Sequence, residues 1–162
     1  MKINKFITFC LLIGLILSCI SIPVLSQSET TSPWPSFGHD ERHTGLSDYK
    51  VGSEKGDVWK LNTSQKIVSS PIIGPDGVIY QAAGNYLYAL TSTGEVKWKY
   101  EAEDTIESTP VVGSEGNIYF GSYDHYFYSI DPEGSLIWRT KLDDRIVSSP
   151  IIHDNKIYVG SV

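Results

Sequence analysis

Histidines and carboxylates have the widest chemical reach among the side chains of this 162-residue chain. His39 and His43 are four apart, an interval that on a helix would aim two imidazoles at one metal. The flanking Gly38 and Gly45 argue against a helix, so the pair reads as part of a structural lead-in segment, and no metal site is expected there. His125 and His153 fall in turns and read as exposed. Carboxylates gather in two short runs: Glu101, Glu103, Asp104 and Glu107, then Asp143 and Asp144. Such runs could hold Ca2+ or a cationic partner, or simply solvate a face. No Ser-His-Asp order, nucleotide-binding loop or catalytic pair of carboxylates can be placed. Both cysteines, Cys10 and Cys19, lie near the amino terminus, and Met1 is the only methionine. The remainder therefore has no disulfide, thiolate ligand or Cys nucleophile.

What must position these groups is a repeat. Ser69-Ser70-Pro71-Ile72-Ile73 returns as Ser108-Thr109-Pro110-Val111-Val112 and again as Ser148-Ser149-Pro150-Ile151-Ile152. The prolines are 39 and then 40 residues apart, and Trp59, Trp98 and Trp138 keep the same intervals. A period near 40 made of short strands and turns predicts an all-β fold of β-propeller blades, each of four antiparallel strands. The strands expected for the first copy, about 67–101, are Ile67–Ile73, Val78–Ala82, Tyr86–Leu90 and Glu95–Tyr100. Those of the second, about 106–140, are Ile106–Val112, Asn117–Gly121, Tyr126–Ile130 and Ser135–Thr140. A third copy supplies Ile146–Ile152 and Lys156–Gly160, and Val58–Leu61 reads as an orphan closing strand. That makes eleven strands: two full blades, one partial blade and one closing strand. Ile72, Val78, Tyr80, Leu87 and Leu90 cannot all point one way from a pleated sheet, so each unit is apolar on both faces and must stack on a neighbour. Tryptophans suit the seams between units, where an indole leaves water on both sides.

The amino-terminal 26 residues read as a secretory signal peptide. Lys2 and Lys5 give a basic start, Phe6 to Ile22 is apolar, and Val24-Leu25-Ser26 fits a cut before Gln27. An uncleaved membrane anchor is the alternative, and a lipoprotein site at Cys19 is disfavoured by Leu17. With Lys2 and Lys5 in the leader, 13 basic side chains fall to 11 against 19 acidic ones, a net charge of −8. That balance disfavours nucleic acid and charge-driven attachment to anionic lipid. Membrane contact is expected only through an uncleaved leader or a downstream segment. Residues 27–57 form a linker and lead-in segment, in which Trp34 and Phe37 are expected to pack on the first sheet. The partial propeller occupies residues 58–162. Asn62-Thr63-Ser64 is a glycosylation sequon, used only if the secreting cell glycosylates.

Ala89-Leu90-Thr91-Ser92-Thr93-Gly94-Glu95-Val96-Lys97-Trp98 resembles the tryptophan-docking repeat of pyrroloquinoline-quinone (PQQ) propellers, Ala-x-Asp-x-x-Thr-Gly-x-x-x-Trp. It keeps Ala89, Thr93, Gly94 and Trp98, with Thr91 in place of Asp. The second copy keeps Asp131, Gly134 and Trp138, with Ser129 and Glu133 in place of Ala and Thr. Trp34-Pro35-x-Phe37-Gly38-x-Asp40-x-x-His43-Thr44-Gly45 is similar to the opening motif of secreted members. The resemblance implies that Trp59, Trp98, Trp138, Gly94, Gly134, Ala89 and Asp131 are structural docking residues. It puts the Ser-x-Pro strand innermost and the Trp strand outermost. One rim then carries Glu101, Glu103, Asp104, Asp143 and Asp144 together with the turn Tyr123, Asp124 and His125, a possible binding rim. The expected function is an exported, non-catalytic scaffold that binds a protein or peptide on that rim, as assembly factors of the outer membrane do. A PQQ-dependent dehydrogenase is the runner-up, and an extracellular ligand-sensor domain is a third reading. Quinone enzymes of this fold use Ca2+ ligands, a catalytic Asp and a vicinal disulfide. None can be assigned here, so no cofactor is expected unless the enzyme reading holds with PQQ and Ca2+. Eleven strands make fewer than three blades, and a propeller needs at least four, so a longer protein with four to six more repeats after Val162 is expected, the alternative being several chains that complete one ring.

Overall fold

A computed structural model describes residues 34–40, 45, 56 and 58–162. The expected signal peptide (1–26), residues 27–33, His43 and most of the polar stretch 48–57 lie outside the described residues. The described part is all β, with no helix. Strands β1 (Ile72–Ile73), β2 (Ile79–Ala83), β3 (Tyr86–Leu90) and β4 (Val96–Glu101) form one antiparallel sheet in chain order. Strands β5 (Val111–Val112), β6 (Ile118–Gly121), β7 (Tyr126–Ile130) and β8 (Leu136–Lys141) form a second sheet of the same order. The hairpin β9 (Ile151–His153) and β10 (Lys156–Tyr158) begins a third.

Turn chemistry fixes the ladders. In Gly74-Pro75-Asp76-Gly77 the Gly77 amide donates to the Gly74 carbonyl at 3.0 Å, and the Asp76 carboxylate accepts from Val78 N at 3.1 Å. Gly77 has φ +78, a region that a side chain would strain. The third copy replaces this turn with Asp154-Asn155, both left-handed at φ 48 and 56, which makes a tight two-residue hairpin. A register shift recurs at the same place in each full sheet, between Ala89 and Leu90 and between Ser129 and Ile130. It presents the following turn, which ends at Gly94 or Gly134, to the neighbouring tryptophan.

The sheets pack face to face. One buried cluster joins Ile72, Tyr80, Leu87 and Ala89 of the first sheet to Ile118, Phe120, Tyr128 and Ile130 of the second. Ala102 and Ile106, from the connection between the sheets, close it. The other face of the first sheet holds a smaller cluster of Ala83, Tyr88 and Leu90, with Leu61 against it.

One expectation is corrected. The innermost strands are two or three residues long, because residues 67–71, 106–110 and 146–150 run irregularly up to their prolines. Proline has no N–H for the ladder, and the amides before it bond to the next repeat instead of to their own sheet. Val58–Leu61, expected to pair with a strand beyond Val162, has no ladder partner among the described residues; the Trp59 and Leu61 side chains hold it against the first sheet. Among the described residues ten strands are observed.

Candidate functional site

The seam is built from an indole and a glycine. Trp98 of β4 lies over Gly134 of the second sheet, where a Cβ would fall 2.7 Å from Trp98 Cδ2. Its Nε1 donates to the Pro132 carbonyl at 2.8 Å, and Tyr80 flanks it with ring centroids 5.8 Å apart. Trp59 repeats the contact one unit earlier: it lies over Gly94, and its Nε1 donates to the Ser92 carbonyl at 3.0 Å. Gly94 and Gly134 have φ +86 and +90, so both backbone conformation and space there require glycine. Ala89 and Ser129 face Trp98 and Trp138 across the ladder. Asp131 caps its turn, with Oδ1 accepting from Glu133 N and Ser135 N at 3.1 and 2.7 Å; Thr91 does the same for Glu95 N at 3.1 Å through its hydroxyl. Trp138 packs on Tyr119 and Phe127 of its own sheet and is 40% exposed. It therefore does not fill a seam among the described residues.

Near the inner edges the Ser-x-Pro repeat makes a relay. Ser70 N donates to Thr109 Oγ1 at 3.0 Å, and Thr109 N donates to Ser149 Oγ at 3.3 Å. Each hydroxyl thus receives the amide of the equivalent residue one repeat earlier. The lead-in segment straddles the same edges: Ile73 N donates to the Trp34 carbonyl at 2.8 Å and Val112 N to the Pro35 carbonyl at 2.9 Å. Trp34 thus meets the first sheet, Pro35 ties in the second, and Phe37 stays 49% exposed. The His39 ring lies against Trp34, with centroids 4.9 Å apart.

The connection rim is tied at one seam by Asp124. Its Oδ2 accepts from Tyr128 Oη at 2.6 Å and from Glu103 N at 3.0 Å, while Oδ1 accepts from Tyr126 N at 2.8 Å. Arg139 Nη1 donates to Glu103 at 2.5 Å, and its guanidinium lies over Tyr126, 4.2 Å from the ring centre. Burial, then the bond to Asp124, pushes the Tyr128 phenol well above its ordinary value; the bond to Glu103 raises Arg139. Tyr123 donates to Glu107 at 2.7 Å, a bond that raises its phenol too. Tyr123 N donates to the Thr105 carbonyl and Ser122 Oγ to the Asp104 carbonyl, both at 2.9 Å, which joins the β6–β7 turn to the connection. His125 closes that turn at φ 73 and accepts Leu142 N on its carbonyl.

The structure thus gathers Glu103, Tyr123, Asp124 and His125 around one seam, with Asp104 exposed beside them. Glu101 is engaged at the first sheet's edge by Tyr86 and Asn85, at 3.0 and 3.2 Å. Asp143 and Asp144 repeat Glu103 and Asp104 one unit later. Asp104 and Asp144 each accept the next residue's amide on Oδ1, at 2.6 and 2.7 Å. The relay hydroxyls, Tyr128 and Arg139 were not singled out from the sequence; the Ser/Thr before each repeated proline was the available signal. An open groove of about 240 Å³ on the opposite, hairpin-turn side is lined by Pro75, Tyr80, Glu115 and Pro132. Burial and the charges of Asp76 and Glu133 push the Tyr80 phenol up to about 12.

A family model described as outer membrane protein assembly factor BamB matches residues 101–162. The quinohemoprotein alcohol dehydrogenase of Comamonas testosteroni is similar over 83% of this chain and 24% of its own, at 19% identity and a TM-score of 0.68. The quinohemoprotein alcohol dehydrogenase ADHIIG of Pseudomonas putida HK5 is similar over 82% and 23%, at 24% identity and a TM-score of 0.68. Residues 101–162 are thus similar to that family's repeats, and the likeness to both dehydrogenases is one of fold. The chain spans about a quarter of the length of either dehydrogenase, and no curated protein matches it significantly. The PQQ-like fold by itself does not bring a quinone. Among the described residues no three His, Cys, Asp or Glu side chains gather as a metal would need. Both oxygens of Asp124, a hard-cation donor by type, already accept protein hydrogens.

Proposed function

We propose that the chain is part of an exported propeller that binds an extended polypeptide along its connection rim, as a scaffold and not as a catalyst. The observation that carries this reading is the recurrence of an exposed acidic pair at one-blade spacing. Glu103-Asp104 and Asp143-Asp144 stand at equivalent positions, each backed by hydrogen bonds in its connection. Opposite charges repeated along a rigid rim give register and speed to a basic, extended partner. The assembly-factor family model covers both pairs, which supports a protein partner over a small molecule. The leader-like start supports a location outside the cytoplasm.

The test is binding of a labelled extended peptide with spaced lysines to the full-length secreted protein. Asp143→Lys is expected to weaken binding about three- to tenfold, and added salt to weaken it further. Binding indifferent to both would overturn the rim reading. Tight uptake of added PQQ and Ca2+ with alcohol-dependent dye reduction would overturn the scaffold reading in favour of a dehydrogenase.

A further inference from the structure

The loop before β1 carries Asn62-Thr63-Ser64, which neither the seam nor the rim network uses. Asn62 is exposed. Ser64 N donates to Asn62 Oδ1 at 3.0 Å, and Ser64 turns back with φ 54. This closes a small ring on the amide oxygen and leaves Asn62 Nδ2 out of that bond on an exposed side chain. The Thr63 hydroxyl is engaged with Gln65, donating to its carbonyl at 3.2 Å. The loop is anchored rather than trailing. Gly84 N donates to the Lys66 carbonyl at 2.9 Å, and the Gln65 side chain covers Gly84, where a Cβ would fall 2.7 Å from Oε1.

We propose that Asn62 is an N-glycan acceptor site. A sequon is used when its asparagine is exposed outside the cytoplasm on a surface loop, and this one is exposed with its carboxamide already turned. Glycan transfer needs a donor of stated class, a sugar chain on a polyprenyl phosphate or diphosphate. Asn62 Nδ2 attacks the anomeric carbon of that donor. A nitrogen–carbon bond forms, the bond from that carbon to the phosphate oxygen breaks, Nδ2 gives up one proton, and the polyprenyl phosphate or diphosphate leaves. No oxidant or reductant is involved. The Ser64 hydroxyl is the third element of the motif, and exchange for Thr preserves it.

The loop meets the β2–β3 turn, on the same rim as Glu101 and the acidic pairs. A glycan at Asn62 would sit beside the β2–β3 turn, whereas the Asp124 seam belongs to the β6–β7 turn. Polypeptide binding by the rim does not depend on it, so the two ideas fail separately.

The experiment takes the full-length protein secreted by its own cell, digests it with trypsin and weighs the Leu61–Lys66 peptide. The expected result is a mass increment of whole sugar residues, located on Asn62 by fragmentation. The increment is expected to vanish in Ser64→Ala and persist in Ser64→Thr, with circular dichroism unchanged in both. An unmodified peptide from protein whose leader has been cleaved overturns the glycan site alone. An unmodified peptide from protein that retains its leader inside the cell overturns the site and the export on which it rests. An increment that survives Ser64→Ala overturns the motif as its cause.

Discussion

Thr109 shows how one hydroxyl can tie two repeats together. It is 4% exposed and accepts Ser70 N, so Thr109→Val would leave that amide without its partner near the inner edge. The expected loss is about 1–3 kcal/mol in urea unfolding, with Thr109→Ser close to wild type because the oxygen stays. Tyr80 and Tyr128 make a second prediction at this scale. Both phenols are held neutral by burial, Tyr80 up to about 12 from an ordinary 10.0 and Tyr128 also raised. The unfolded chain ionises these groups near pH 10 and the folded chain does not. Stability from them is therefore complete below pH 10 and drains away as pH rises through the folded values. Unfolding free energy measured between pH 8 and about 12 is expected to be flat at first and to fall above about 10, before tyrosinate absorbance from these two appears.

Element boundaries were legible where turn chemistry is local. Tyr86–Leu90 and Tyr126–Ile130 were read to the residue because glycine-bearing turns or an Asp turn flank them. The innermost strands were read too long because the apolar residues of 67–73 look the same whether an amide bonds its own sheet or the next repeat. The site was less legible than the fold. Acidic runs mark the rim in the sequence, whereas the Asp124–Tyr128–Arg139–Glu103 network needs three segments brought together. Turn glycines give a prediction here. Gly77 has φ 78 with nothing within 4 Å of a built Cβ, so Gly77→Ala is expected to cost about 1–2 kcal/mol from the backbone alone. Gly134 has φ +90 and the Trp98 ring 2.7 Å away, so Gly134→Ala is expected to cost about 2–5 kcal/mol in the same denaturation assay.

At the scale of the molecule, stability and the proposed recognition share one geometry. Each indole set on the next repeat's glycine fixes the rotation between blades, and that rotation spaces the acidic pairs along the rim. A partner bound as proposed would read the seam indirectly. The seam contact can be isolated by a double-mutant cycle in equilibrium unfolding, pairing Trp98→Ala with Gly134→Ala. With the ring removed, the methyl at 134 has room, and Gly134→Ala is expected to cost only its backbone share. That gives a coupling of about 1–3 kcal/mol, while the pair Trp98→Ala and Gly77→Ala adds within about 0.5 kcal/mol. Simple additivity for Trp98 and Gly134 would contradict the docking of one blade on the next.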